Sequence, residues 1–103
     1  MPRYIKVAKV NEMPPGAARE FHANGKVVAL FNVDGKYYAL DNTCLHRGGP
    51  LGQGVLEGDV VTCPWHGWQY NVTSGAAVFN LEIKVQSFEV KVEGDDIVVG
   101  FDA

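Results

Sequence analysis

Apolar residues recur at every second position along most of this chain, and turn-forming pairs interrupt the alternation at short intervals. Ile5, Val7 and Val10 open a strand that stops at the breaker Pro14-Pro15-Gly16. A short strand over Ala17 to His22 meets Asn24-Gly25, the strongest short signal for a type I′ hairpin. Lys26 to Val33, rich in Val, Ala and Leu, turns back at Asp34-Gly35 into Lys36 to Asp41, giving an antiparallel meander. Then the texture changes. Between Gly48 and Gly58 stand five glycines and one proline, a stretch that reads as too irregular for strand or helix. Val60 to Cys63 and Gln69 to Val72 read as short strands, and Thr73-Ser74-Gly75 as a turn. Leu81, Ile83 and Val85 alternate, Phe88, Val90 and Val92 continue the pattern, and Gly94-Asp95-Asp96 turns into Ile97 to Val99. No apolar stripe of period 3.6 is long enough for two helical turns. The prediction is an all-β fold: a small antiparallel β-sandwich or barrel of short strands, one domain over 1–103, with a subdomain at about 42–70 inserted between the strands.

Length and charge narrow the function by exclusion. A chain of 103 residues buries about two thirds of its unfolded surface. Nine basic against twelve acidic residues leave a formal charge of −3, without the basic patch of a nucleic-acid binder. The first ten residues alternate polar and apolar around Arg3, Lys6 and Lys9, which is no signal peptide, and no stretch approaches the eighteen apolar residues of a membrane span. The expectation is a cytoplasmic protein, in which Asn71-Val72-Thr73 matches a glycosylation pattern by chance and a lone disulfide is a poor reading of two cysteines.

The chemistry is concentrated in two short segments. Cys44-Leu45-His46-Arg47-Gly48-Gly49-Pro50-Leu51 offers C-x-H, and Cys63-Pro64-Trp65-His66-Gly67-Trp68 offers C-x-x-H, with sixteen residues between the pairs. Both cysteines and two of the three histidines of the chain lie there. Soft thiolates and borderline imidazoles gathered this way read as a metal site. A structural zinc ion is one reading, although Cys₂His₂ zinc sites usually pair cysteine with cysteine and histidine with histidine. One thiolate and one imidazole from each loop suit a pair of metals with unlike ligand sets better. Two buried cysteines with no metal is the plainest alternative. His22 reads as a surface or half-buried histidine without a role.

These two segments resemble the signature of Rieske [2Fe–2S] proteins, and the strand pattern on either side agrees with that family along essentially the whole chain. The resemblance implies that Cys44 and Cys63 hold one iron and His46 and His66 the other. Two thiolates and two neutral imidazoles bring the oxidised diferric centre to zero formal charge, where four thiolates would make a dianion, so an electron enters more easily. High-potential members carry a disulfide between the loops and a serine bonded to a sulfide; the matching positions here are Gly49, Trp65 and Trp68. Tyr70 falls where members often bond a ligand sulfur, and the family's third, proline-bearing loop maps to Ala76–Asn80, which has no proline. With fewer donors to sulfur, the expected potential is at the low end of the family's range of roughly −150 to +300 mV.

The resemblance implies an electron carrier rather than an enzyme. A Rieske oxygenase also needs a mononuclear iron on two histidines and a carboxylate, and only His22 is left over. The expected role is one-electron transfer, as the ferredoxin component between a reductase and a terminal aromatic-ring-hydroxylating oxygenase. A small subunit of a larger redox enzyme, such as a nitrite reductase, is the alternative. Partners should touch the cluster tip at Leu45, His46, Pro50, Leu51, Trp65 and His66, with Arg47 paired to Glu57 or Asp59 to brace the loops. Gly52-Gln53-Gly54 opens no helix and lacks a third glycine, so it is no phosphate cradle.

Overall fold

The computed structural model describes residues 2–43, 49–65 and 67–102. Among the described residues eleven strands follow one another: β1 (Pro2–Lys9), β2 (Ala18–Ala23), β3 (Lys26–Val33), β4 (Lys36–Asp41), β5 (Val55–Glu57), β6 (Val60–Thr62), β7 (Gln69–Asn71), β8 (Ala76–Ala77), β9 (Asn80–Lys84), β10 (Ser87–Glu93) and β11 (Asp96–Asp102). Single 3₁₀ turns cover Val10–Glu12 and Leu51–Gln53. The all-β expectation holds, and so do both tight hairpins. Asn24 and Gly25 have φ of 53° and 74°, Asp34 and Gly35 51° and 91°, the two positive values that a type I′ turn demands.

The strands form two antiparallel sheets. One runs β1-β11-β10-β4-β3-β2 and the other is the meander β5-β6-β7-β8-β9. Because side chains alternate across a strand, β3 feeds two cores at once. Ala29 and Phe31 face the second sheet and pack with Leu40, Leu51, Val61, Cys63, Tyr70, Val72, Ala77 and Val85. Val28 and Leu30 point the other way, to Met13, Ile97, Val99 and Phe101, inside the curl of the larger sheet. Buried on both faces, β3 therefore reads as a continuous apolar run rather than an alternation. Full burial of a side chain such as Phe31 contributes about 1.5–3 kcal/mol. Asn32, buried at the end of this run, is satisfied: its Nδ2 donates to the Met13 carbonyl at 2.6 Å and its Oδ1 accepts from Gly35 N–H at 2.7 Å.

The glycine-rich stretch is more ordered than its composition suggested. Contrary to expectation it holds the 3₁₀ turn at Leu51–Gln53 and strand β5, which pairs Val55, Leu56 and Glu57 with Thr62, Val61 and Val60 across the positive-φ turn at Gly58. Three of its glycines, Gly49, Gly52 and Gly54, serve close packing instead of turning. A Cβ on Gly54 would overlap the Thr62 carbonyl oxygen and come within 3.1 Å of the Leu51 carbonyl oxygen, and backbone cannot swing aside. Gly54→Ala should therefore destabilise the protein by about 1–3 kcal/mol, lowering the thermal midpoint by roughly 5–20 °C. An unchanged midpoint in a melting experiment would contradict this packing.

Candidate metal centre

Each ligand-bearing segment is pinched at its base. For the first, Thr43 and Pro50 form an antiparallel bridge, and Leu51 N–H donates to the Asn42 carbonyl at 2.8 Å. For the second, Thr62 pairs with Gln69 and Cys63 N–H donates to the Trp68 carbonyl at 2.7 Å. Of the four expected ligands, Cys63 is described; Cys44, His46 and His66 lie outside the described residues, as do Leu45 and Arg47 with its expected ion pair. His22 sits exposed on β2.

Cys63 leaves β6 with its side chain in the core between the sheets, 1% exposed, in the same cluster as Leu51, Tyr70 and Ala77. The backbone N–H of Trp65 points at its Sγ from 3.4 Å, the kind of donor that stabilises charge on a ligating sulfur. The other loop closes over the same atom. A Cβ on Gly49 would stand 2.7 Å from Cys63 Sγ, 2.9 Å from Trp65 Cγ and 3.0 Å from Trp65 Cβ. The missing side chain at Gly49 thus lets the return arm of the first loop lie against the sulfur of the second. Positions 49 and 65, which carry the inter-loop disulfide in high-potential Rieske proteins, are neighbours here, occupied by glycine and tryptophan. A buried sulfur with a backbone donor and a side-chain-free approach fits an iron–sulfur ligand. Among the described residues no cluster of three or more His, Cys, Asp or Glu offers a competing metal site.

Two expectations about the rim need correction or completion. Leu51 is fully buried, locked in the core by its place in the 3₁₀ turn, so it belongs to no contact surface. The third loop, without proline, is covered by other means. Ala76 and Ala77 are buried, Val78 N–H donates to the Gln69 carbonyl at 2.9 Å, and the Phe79 ring meets Trp68 edge-on, centroids 4.7 Å apart. Val78 and Phe79 themselves stand exposed, which alternation alone did not single out. Trp65 is half exposed, as its loop-tip position suggested. Tyr70 is wholly buried in the Cys63 cluster. Asn71 is turned inward on its own loop, its Oδ1 accepting from Thr73 N–H at 2.9 Å.

The comparisons with known proteins agree with this geometry. The Rieske [2Fe-2S] domain matches residues 3–89. Ferredoxin CarAc of Metapseudomonas resinovorans is 35% identical over 100 residues, covering 94% of each chain. The biphenyl dioxygenase ferredoxin subunit of Pseudomonas sp. (strain KKS102) is 33% identical over 100 residues, covering 95% of this chain and 92% of that one. Among solved structures, a chain in the complex of reduced oxygenase and oxidized ferredoxin in carbazole 1,9a-dioxygenase superposes with a TM-score of 0.86 at 33% identity, covering 93% of this chain and 91% of that one. No helix among the described residues is long and apolar enough to cross a membrane. Matched over most of its length by the family and by full-length relatives, this chain belongs to the Rieske [2Fe–2S] domain family.

Proposed function

We propose that this chain is the ferredoxin component of a multicomponent oxygenase system, carrying single electrons from a reductase to a terminal ring-hydroxylating oxygenase in the cytoplasm. It breaks no substrate bond itself. The observation that carries this reading is the match to ferredoxin CarAc over 94% of either chain. The chain acts as one Rieske domain over 1–103, with its ligand-bearing subdomain at about 42–70.

Cys44 and Cys63 would hold one iron of the cluster and His46 and His66 the other, which would give the buried sulfur already described its role. When bound, the Rieske group takes up and returns one electron at a time. The chain's own residues determine where that happens. Cys63 keeps its sulfur away from water, Trp65 N–H offsets its charge, and Gly49 admits the opposite loop. Tyr70, packed into the same cluster, stands where the family's sulfur-bonding tyrosine is expected.

The terminal oxygenase meets the apolar surface around the second ligand loop. Trp65, Val78 and Phe79 are 50%, 48% and 58% exposed, with Trp68 seated behind Phe79. Half-buried Pro50 belongs to the proposed contact as well, together with Leu45, His46 and His66, which lie outside the described residues. Redox partners that meet briefly use small interfaces, and exposed aromatic anchors dominate such contacts. The support for this occupant is the solved complex of oxygenase and ferredoxin in carbazole 1,9a-dioxygenase.

Two measurements test the reading. Anaerobic purification followed by metal and sulfide analysis should find two irons and two inorganic sulfides per chain. A colourless protein holding one zinc ends it. In stopped-flow mixing with a purified oxygenase, Trp65→Ala should slow electron transfer by about tenfold with an unchanged visible spectrum, because the donor to Cys63 is backbone and survives the exchange. Loss of the cluster in that variant would make Trp65 a structural residue and remove it from the docking face.

A further inference from the structure

A single carboxylate on a distant strand grips both arms of the first ligand loop. Asn42 follows β4 and directly precedes Thr43 and Cys44. It is buried, and its groups are engaged on several sides. Its N–H donates to the Val27 carbonyl at 3.2 Å, its carbonyl accepts from Leu51 N–H at 2.8 Å, and its Oδ1 accepts from Gly52 N–H at 2.7 Å. Its Nδ2 donates to Glu20 Oε2, on β2, at 2.5 Å. The other oxygen of the same carboxylate, Oε1, accepts from Gln53 Nε2 at 2.7 Å. Gly52 makes room for this: a Cβ there would lie 2.5 Å from Glu20 Cγ and 2.9 Å from the Arg19 carbonyl oxygen.

We propose that Glu20 is a positioning residue for the metal centre, its two oxygens holding Asn42 at the entry of the first ligand loop and Gln53 just beyond its exit. The inference rests on the assignment of Cys44 and His46 as ligands. Both contacts ask for an acceptor, and a carboxylate offers two with no donor to clash. A glutamine would turn its NH₂ toward one of two NH₂ groups. Asn42 cannot invert its amide to compensate, because its Oδ1 is taken by Gly52 N–H. A loop whose two arms are held at a set separation presents its ligands in the bound geometry before the cluster arrives, and outer partners of this kind strongly affect metal retention.

The test compares wild type with Glu20→Ala, Glu20→Gln and, as a control on β10, Glu89→Gln, all purified with their cluster. Three readouts are taken: the rate of iron release to a chelator, the electron paramagnetic resonance spectrum of the reduced protein, and thermal melting of the iron-free form. Glu20→Ala should release iron about 10- to 100-fold faster with shifted or broadened g-values. Glu20→Gln should fall between Glu20→Ala and wild type, and Glu89→Gln should match wild type. Wild-type release and spectrum in Glu20→Ala would overturn the inference, as would a lowered melting point with both of those unmoved. Should wild type itself hold no iron–sulfur cluster, the ligand assignment fails instead, and the two failures are thereby distinguished.

Discussion

Exchange of Cys63 for Ala is expected to yield a colourless protein with iron and inorganic sulfide at background. Cys63 is 1% exposed and sits where the two loops meet, so water cannot substitute at its position without opening the core. Its loss as a proposed ligand would leave one iron with a single cysteine, whereas a cluster of this kind needs two. The stability consequence is as large. A group present at about a thousand times its dissociation constant stabilises the folded state by about 4 kcal/mol, equivalent to roughly 15 °C or more in a domain of this size. That difference should appear between loaded wild type and Cys63→Ala. The iron-free forms of both should melt within a few degrees of each other, since only a sulfur atom has left the core. Retention of the visible spectrum by Cys63→Ala would dismiss Cys63 as a ligand.

Gly49→Ala is expected to lose iron about 10- to 100-fold faster than wild type. The added Cβ would stand 2.7 Å from Cys63 Sγ, a separation that real Cβ atoms do not adopt. It would also crowd Trp65, but that side chain is half exposed and can turn away. The sulfur is buried in the core at 1% exposure, and as the proposed iron ligand it would have no freedom to turn away. No left-handed φ is involved, so the whole effect is one of space. The double variant Gly49→Ala/Trp65→Ala separates the two obstacles. It should lose iron as fast as Gly49→Ala alone. Full recovery of retention in the double variant would point to the tryptophan and not the sulfur as the obstruction.

What could be read in advance and what could not divide along physical lines. The Asn24-Gly25 and Asp34-Gly35 hairpins were legible because a type I′ turn is a local matter: two successive residues must tolerate positive φ, and few residue types do. Strand β5 was not. Val55-Leu56-Glu57 is three residues between glycines, and it is a strand only because β6 lies beside it to receive its hydrogen bonds. The same limit explains Leu51. An apolar residue after Gly49-Pro50 reads equally well as rim or core, and its full burial comes with the 3₁₀ turn that puts it in the core it shares with Phe31 and Val61. Val78 and Phe79 fell the other way. The resemblance put them in the third loop, Ala76–Asn80, without saying which side chains face outward, and the short β8 and the turn into β9 leave them exposed. Glu20 gave no signal at all, being one charged residue on a half-exposed strand, 22 positions from the Asn42 it holds.

By itself, then, the order of residues determined the all-β class, the tight turns and the pairing of Cys-x-His with Cys-x-x-His, since these rest on backbone sterics and ligand chemistry within a few neighbouring positions. Only the tertiary structure decided which apolar side chains face solvent, that Gly49 lies against the sulfur of Cys63, and that one carboxylate on β2 spans the arms of the first loop. Those are contacts between segments remote along the chain. They exist because two sheets must bury one shared core, and no local propensity encodes which surfaces that packing brings together.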